Sequence, residues 1–388
     1  MKSINEKYGY WKVDGVKFDY KFDALRAATL LNKSVDSVEY VFHDPVWDSF
    51  DRTQLGKHSL KTLYRERAQQ LRDTYDYLIL YYSGGSDSHT VLRTFLDNNI
   101  KLDEICVKWP EPYRDGKLYV PNNTDTSARN YWSEWDFCVK PVLNILKTTH
   151  PEIFINIVDY VGDLKKINME SVFQNALHAR SAGGMIYSTA LSSTEKRSMG
   201  HIYGVDKPIL SFKNDVFNMH FSDTAVSVLS RMHPDETNAE CFFWTENMPI
   251  LAYEMAYQTA GYYIKIENDR QYLWGPDKNV SQSTKHLLTD DSLSSMKRHQ
   301  ADIAIKVLYD TWDYRFQAHK PSYKPGVTNA EKWHWFAESR ETAHLQNQFV
   351  SILNDQLSAV DPKFRNRDGT GFMVGVTRGF FVRNLNYN

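Results

Sequence analysis

Residues 77–107 read YLILYYSGGSDSHTVLRTFLDNNIKLDEICV. The run Tyr77-Leu78-Ile79-Leu80-Tyr81-Tyr82 is continuously apolar or aromatic, as expected of a strand covered on both faces in a parallel sheet. Ser83-Gly84-Gly85-Ser86-Asp87-Ser88 follows, then Thr90 to Leu96, where Val91, Leu92, Phe95 and Leu96 recur at helical spacing. Asn98-Asn99 closes that helix, and Leu102 to Val107 predicts a second buried strand. One strand–loop–helix–strand unit of this kind is the building block of a doubly wound α/β domain.

The loop has chemical content of its own. Glycines let the main chain come close to an anion without Cβ clashes and accept positive φ. The helix that follows offers unpaired N–H groups and the positive end of its dipole. Ser83, Ser86 and Ser88 add hydroxyl donors. Asp87 is the odd member, because a carboxylate beside phosphates is repulsive unless a cation lies between; it predicts Mg²⁺ bridging Asp87 and phosphate oxygens. The chain has no G-x-x-x-x-G-K-[ST] and no G-x-G-x-x-G. Gly84-Gly85-Ser86-Asp87-Ser88 has the wrong last residue for a G-x-S-x-G nucleophile elbow. The remaining reading is a Gly/Ser turn with an N-cap aspartate.

Outward from this unit, the sequence divides into three expected regions. Residues 1–74 predict a small α+β region. It holds a hairpin over 8–20 turning at Asp14-Gly15, a helix Ala24–Leu31 capped by Asp23, an extended stretch Val35–Phe42 broken by His43-Asp44-Pro45, and a charged amphipathic helix Leu55–Leu71. Residues 75–215 predict the nucleotide domain. A polar insertion occupies 108–130, a helix 131–148, a strand Ile153–Tyr160, and helices 170–180 and 185–197. A strand–loop–strand segment follows over 201–210. From 216 to 388 helical patterns dominate, and Cys241-Phe242-Phe243-Trp244 with the helix after it reads as core.

The loop resembles that of the PP-loop ATP pyrophosphatases, the adenine nucleotide α-hydrolase-like superfamily. Its pattern S-G-G-x-D-S is met at Ser83, Gly84, Gly85, Asp87 and Ser88. Members include asparagine, GMP and NAD synthetases, tRNA lysidine and thiouridine enzymes, and phosphoadenylylsulfate reductases. The resemblance covers roughly residues 75–215 and implies a Rossmann-like, five-stranded parallel sheet with the loop after its first strand. It further implies ATP and Mg²⁺ as cofactors, with the loop holding the β and γ phosphates and Asp87 as the catalytic and metal-binding residue. An acceptor oxygen attacks the α-phosphorus, pyrophosphate leaves, and an amine, ammonia or sulfur nucleophile then displaces AMP. Trp109, at the end of the second strand, lies near the adenine in this family and is a stacking candidate; packing into the loop explains a Trp there equally well.

Gly204-Val205-Asp206-Lys207-Pro208 follows another apolar stretch, and ligand groups gather at the carboxyl ends of parallel strands. Lys207 is a candidate to neutralise pyrophosphate, and Asp206 to hold Mg²⁺ or orient the acceptor. The alternative is a surface turn stopped by Pro208. Arg180 and Arg197 are the phosphate candidates among the scattered basic residues upstream, because guanidinium matches phosphate geometry. Basic residues on helices are otherwise usually solvated. His89 reads as a first-turn residue rather than a base.

Composition narrows the class. The formal net charge is −2, so nucleic acid is not indicated as a partner by charge, although Lys297, Arg298, Arg315, Trp312, Tyr314 and Trp335 mix basic and aromatic groups. Aromatics make up 14% of the chain, a proportion that suits large aromatic cores or a homodimer interface. The three cysteines, Cys106, Cys138 and Cys241, form no CxxC pair. That disfavours a disulfide framework, a thiolate metal site and the cysteine-dependent branches of the superfamily. Lys at position 2 excludes the N-terminal amidotransferase nucleophile of asparagine synthetases. No apolar run reaches the length of a membrane span, and a cytoplasmic protein is expected, phage-encoded members of the superfamily acting in a host cytoplasm being one home. The expected function is an adenylating enzyme for amide or amine ligation on an unidentified acceptor. The alternatives are a tRNA- or DNA-modifying enzyme and a nucleotide-binding protein without turnover.

Overall fold

The computed structural model describes residues 6–19, 21–33, 37–108, 138–158, 198–204, 207–213, 215–223, 239–268, 307–309 and 377–384. The expected insertion beyond Lys108, the helices at 170–180 and 185–197, and the basic–aromatic stretch near 312–335 lie outside them.

The strands are β1 (Tyr10–Val13), β2 (Val16–Phe18), β3 (Glu39–Val41), β4 (Tyr77–Tyr81), β5 (Glu104–Lys108), β6 (Phe154–Val158), β7 (Met199–Tyr203), β8 (Ile209–Lys213), β9 (Val216–His220), β10 (Ala239–Cys241) and β11 (Phe380–Asn384). The helices are α1 (Lys21–Leu30), α2 (Asp44–Ser49), α3 (Leu60–Thr74), α4 (Ser86–Asp97), α5 (Lys140–Thr149) and α6 (Pro249–Asn268). Three sheets result: antiparallel β2-β1-β3, parallel β10-β7-β4-β5-β6, and antiparallel β11-β9-β8.

The five-stranded parallel sheet agrees with the α/β expectation. β4 lies at its centre, the chain steps to β5 and β6 on one side, and it returns to β7 and β10 on the other. The strand order therefore reverses between β4 and β7, where open α/β sheets carry their ligand crevice. Leu78, Ile79 and Leu80 are fully buried, which explains the unbroken apolar run.

Local signals account for most boundaries. Asp14 (φ 50°) and Gly15 (φ 81°) both adopt positive φ, as a type I′ hairpin turn requires. Ser59 caps α3 by accepting from the Thr62 N–H at 3.1 Å, so this helix starts later than Leu55. Asn99 (φ 55°) stops α4 in the left-handed region.

Other boundaries differ from expectation. α1 begins at Lys21, which puts Asp23 in its first turn rather than at its cap. Among the described residues of the extended stretch, Glu39–Val41 alone pairs as strand. The His43-Asp44-Pro45 break becomes the start of α2, where Pro45 sits in the first turn and its missing N–H costs no hydrogen bond. α4 starts at Ser86, four residues before Thr90, so half of the loop motif is helix.

The largest departure lies beyond residue 215. Beside the expected helix, α6, the described residues there include the strands β9, β10 and β11, and β10 completes the parallel sheet beside β7. Packing among the described residues has no break at 74/75 or 215/216. Trp47 from α2 lies tilted against Phe221 (4.5 Å between centroids) and Phe380 (6.2 Å), and Phe221 stacks on Trp244 (4.9 Å). Tyr253 donates to the Trp47 carbonyl at 2.7 Å. Here the aromatic content is core: each such ring removes a large apolar area from water, and edge and offset contacts add about 0.5–1.5 kcal/mol per pair.

Candidate functional site

The loop leaves the carboxyl end of β4 and turns at Gly84, whose φ is +72°. A Cβ at Gly84 would stand 2.7 Å from Val139 Cγ2, so both the backbone angle and the space require glycine. Gly85 occupies the N-cap of α4, and no side chain caps that helix. The N–H groups of its first turn thus lack the side-chain acceptor that a Ser, Thr or Asp cap would supply.

The serines divide the work. Ser88 accepts from the Ser83 N–H at 3.2 Å and donates to the Gly85 carbonyl at 3.3 Å, so it braces the turn from inside. Ser83 accepts from the Gly85 N–H at 3.4 Å and is exposed. Ser86 is 1% exposed, and its hydroxyl has no partner among the described residues. Leaving a buried hydroxyl unpaired costs about 1–3 kcal/mol, so this one is a candidate to meet a ligand oxygen.

A second strand end supplies the counter-charge. Gly204 follows β7, and a Cβ there would lie 2.9 Å from the Ser88 nitrogen. Only glycine permits the β7 exit to touch the first turn of α4. Three residues on, the Lys207 ammonium stands 2.7 Å from Asp87 Oδ1. The Tyr309 hydroxyl donates to the same oxygen at 2.5 Å, and Lys207 Nζ lies 5.5 Å from the Tyr309 ring centroid. Asp87 Oδ2 accepts no hydrogen bond among the described residues. Tyr81 and Tyr203, stacked at 4.3 Å and 7°, form a buried aromatic floor where β4 and β7 end.

His89 lies one turn into α4 with its Nδ1 3.0 Å from the Tyr82 hydroxyl. Burial, helped by the charge of Arg93, pulls its pKa from 6.5 down to about 4. The ring is therefore neutral at physiological pH and a weak base, in agreement with a first-turn packing role. A cavity of about 210 Å³ lies along α4 and not over the loop, bounded by Tyr64, Thr90, Arg93, Thr94, Gln258 and Tyr309.

Of the candidates read from sequence, Ser83 to Ser88 and Lys207 come together at one place. Asp206, Trp109, Arg180 and Arg197 lie outside the described residues. Tyr309 was missed, and nothing in its local sequence marks it. Gly204 had a usable signal, a glycine directly after an apolar strand.

The residues present fit Mg²⁺ with a nucleotide. Mg²⁺ prefers one or two carboxylates, phosphate oxygens and retained waters over a dedicated protein cage. Asp87 offers a partly exposed carboxylate, its Oδ1 held by Lys207 and Tyr309, at the uncapped helix end, and no cluster of three ligating side chains occurs among the described residues. No known protein family, curated protein or solved structure matches the chain.

Proposed function

We propose that this protein is an ATP pyrophosphatase of the PP-loop type that adenylates an acceptor, releasing pyrophosphate and then AMP. The observation that carries the reading is the junction of the β4 and β7 exits. A glycine-floored turn, an uncapped helix N-terminus and the buried, unpaired Ser86 hydroxyl meet Lys207 and Asp87 there. In that reading the N–H groups of Gly85 to Asp87 and the Ser86 hydroxyl bind the β and γ phosphates. Lys207 exchanges part of its pairing with Asp87 for the phosphates and neutralises the charge building on the leaving pyrophosphate. Mg²⁺, when bound by Asp87, supplies charge neutralisation between carboxylate and phosphate. The protein residues act by holding the triphosphate in line and excluding water at the Tyr81–Tyr203 floor. Trp109 remains assigned by the resemblance, Asp206 by its place after an apolar strand, and Arg180 and Arg197 by the match of guanidinium to phosphate.

One observation favours a second reading, nucleotide binding without turnover. Asp87 Oδ1 is held by both Lys207 and Tyr309, an arrangement that also suits a permanently latched loop.

A phosphorus readout of ATP and Mg²⁺ with a panel of carboxylate, amide-carbonyl and nucleic-acid acceptors separates these. The adenylating reading predicts AMP and pyrophosphate, lost in Asp87→Ala. Binding with no product selects the second reading. ADP and inorganic phosphate as products contradict both.

A further inference from the structure

The three-stranded antiparallel sheet holds a serine–histidine pair. Ile209 pairs with His220 and Ser211 with Asn218, so Ser211 and His220 are diagonal neighbours on one face. Leu210, Phe212, Phe217 and Met219 are buried on the opposite face. Ser211 is half-buried, and its Oγ lies 2.6 Å from His220 Nε2. His220 Nδ1 lies 2.9 Å from the Thr377 carbonyl oxygen.

The chemistry of the third group fixes the tautomer. A carbonyl only accepts, so the imidazole proton sits on Nδ1 and Nε2 carries a lone pair. Ser211 must then donate to His220. Burial lowers the His220 pKa and favours the neutral ring that such a base needs. Gly379 closes over the pair: a Cβ there would stand 3.2 Å from His220 Cε1. Among the described residues β8 is an edge strand, so either the Ser211 N–H or those of Leu210 and Phe212 point out of the sheet. A nucleophile hydrogen-bonded to a base that a third group orients is the arrangement of nucleophilic catalysis.

We propose that Ser211 is a second reactive centre, a nucleophile activated by His220 and oriented through Thr377, acting on activated carboxylic esters. Ser211 Oγ bonds to the acyl carbon while His220 Nε2 takes the hydroxyl proton. The bond from that carbon to the leaving alcohol oxygen breaks, and His220 returns the proton to the alcohol. Water then adds to the acyl carbon by the same route, releasing the carboxylic acid and restoring Ser211. Esters with good leaving groups are the substrate class, and amides are not. The neutral Thr377 carbonyl orients the imidazolium but stabilises it less than a carboxylate does.

The test exposes the full chain to a fluorophosphonate and, separately, to p-nitrophenyl acetate, with the labelled peptide mapped by mass spectrometry. The expected result is a single adduct on Ser211, absent in Ser211→Ala. His220→Gln should slow labelling about a hundredfold, the usual contribution of a general base. Ester hydrolysis should fall with labelling. Thermal melts check that His220→Gln folds; if it does not, the urea-unfolded native chain serves as the comparison, and Ser211 must label at least tenfold faster in the folded chain. No adduct on Ser211, equal labelling with and without His220, or ester hydrolysis unchanged in Ser211→Ala overturns the proposal and leaves the pair a clasp between strands.

Discussion

Two charged clusters flank the parallel sheet, and they are built in opposite ways. Around Glu240 on β10, every carboxylate oxygen is used. Oε1 accepts from Lys7 at 3.0 Å and from the Tyr75 hydroxyl at 2.6 Å, and Oε2 accepts from Arg67 at 2.7 Å. Arg67 is 2% exposed and also donates to the Cys241 carbonyl at 3.0 Å. Burial pushes the Glu240 pKa up, but Arg67 and Lys7 outweigh it and hold the carboxyl below its usual range. Around Asp87 one oxygen carries both partners, the helix end beside it is uncapped, and a buried serine hydroxyl stays unpaired. The first cluster is closed around its carboxylate, although Arg67 Nε stays buried without a partner among the described residues, and it ties N-terminal, helical and sheet segments together. The second is left open at the carboxyl ends of β4 and β7, where the strand order reverses. A carboxylate whose two oxygens are both hydrogen-bonded supports stability, and one with an idle oxygen beside an uncapped helix end is the better candidate for binding.

The sharpest way to break the comparison is to delete one member of each cluster. Glu240→Ala strands Arg67 in the interior and should cost about 3–5 kcal/mol, measured by urea denaturation. A cost below 1 kcal/mol would mean that the closed network is not structural.

His89 belongs to the open cluster's helix but should behave like the closed one. Its folded pKa of about 4 lies below the ordinary 6.5, so between those values the unfolded chain binds the extra proton. Stability should therefore rise with pH across that window and fall on acidification, by at most about 3 kcal/mol. His89→Gln should remove this part of the slope in a pH series of melts.

Asp87→Asn should do the reverse of Glu240→Ala. The Asp87–Lys207 pair is partly exposed, so stability should change by no more than about 1 kcal/mol. AMP formation should fall on the order of a hundredfold, the scale of losing a preorganised electrostatic group. The smallest effect is expected of Lys207→Ala, about a tenfold loss of ATP affinity by calorimetry with the melting temperature nearly unchanged.

Sequence reading reached what is locally encoded. The apolar run, the glycine turn and the helical spacing over 77–107 lie within one unit, and the structure returns them as β4, α4 and β5. Lys207 was legible because it follows a strand end. β10 was not legible, since Ala239-Glu240-Cys241 is too short to show alternation and its middle residue is a charge that only long-range partners neutralise. Tyr309 was illegible for the same reason, its contact with Asp87 spanning 222 positions. Beyond 216 the helix expected after Trp244 is α6, but two strands there were passed over: β9 is locally encoded, pairing with β8 directly across residues 214–215, whereas β11 owes its strand state to pairing with the distant β9, which no local window contains.

The central claim is that triphosphate binds at the first turn of α4. Calorimetric titration of Mg-ATP and Mg-AMP into the native chain and into Gly84→Ala addresses it most directly. The expected result is ATP binding at least tenfold tighter than AMP, with both weakened beyond detection when a Cβ enters the turn. Equal affinity for ATP and AMP, or ATP affinity unaltered in Gly84→Ala, would contradict it.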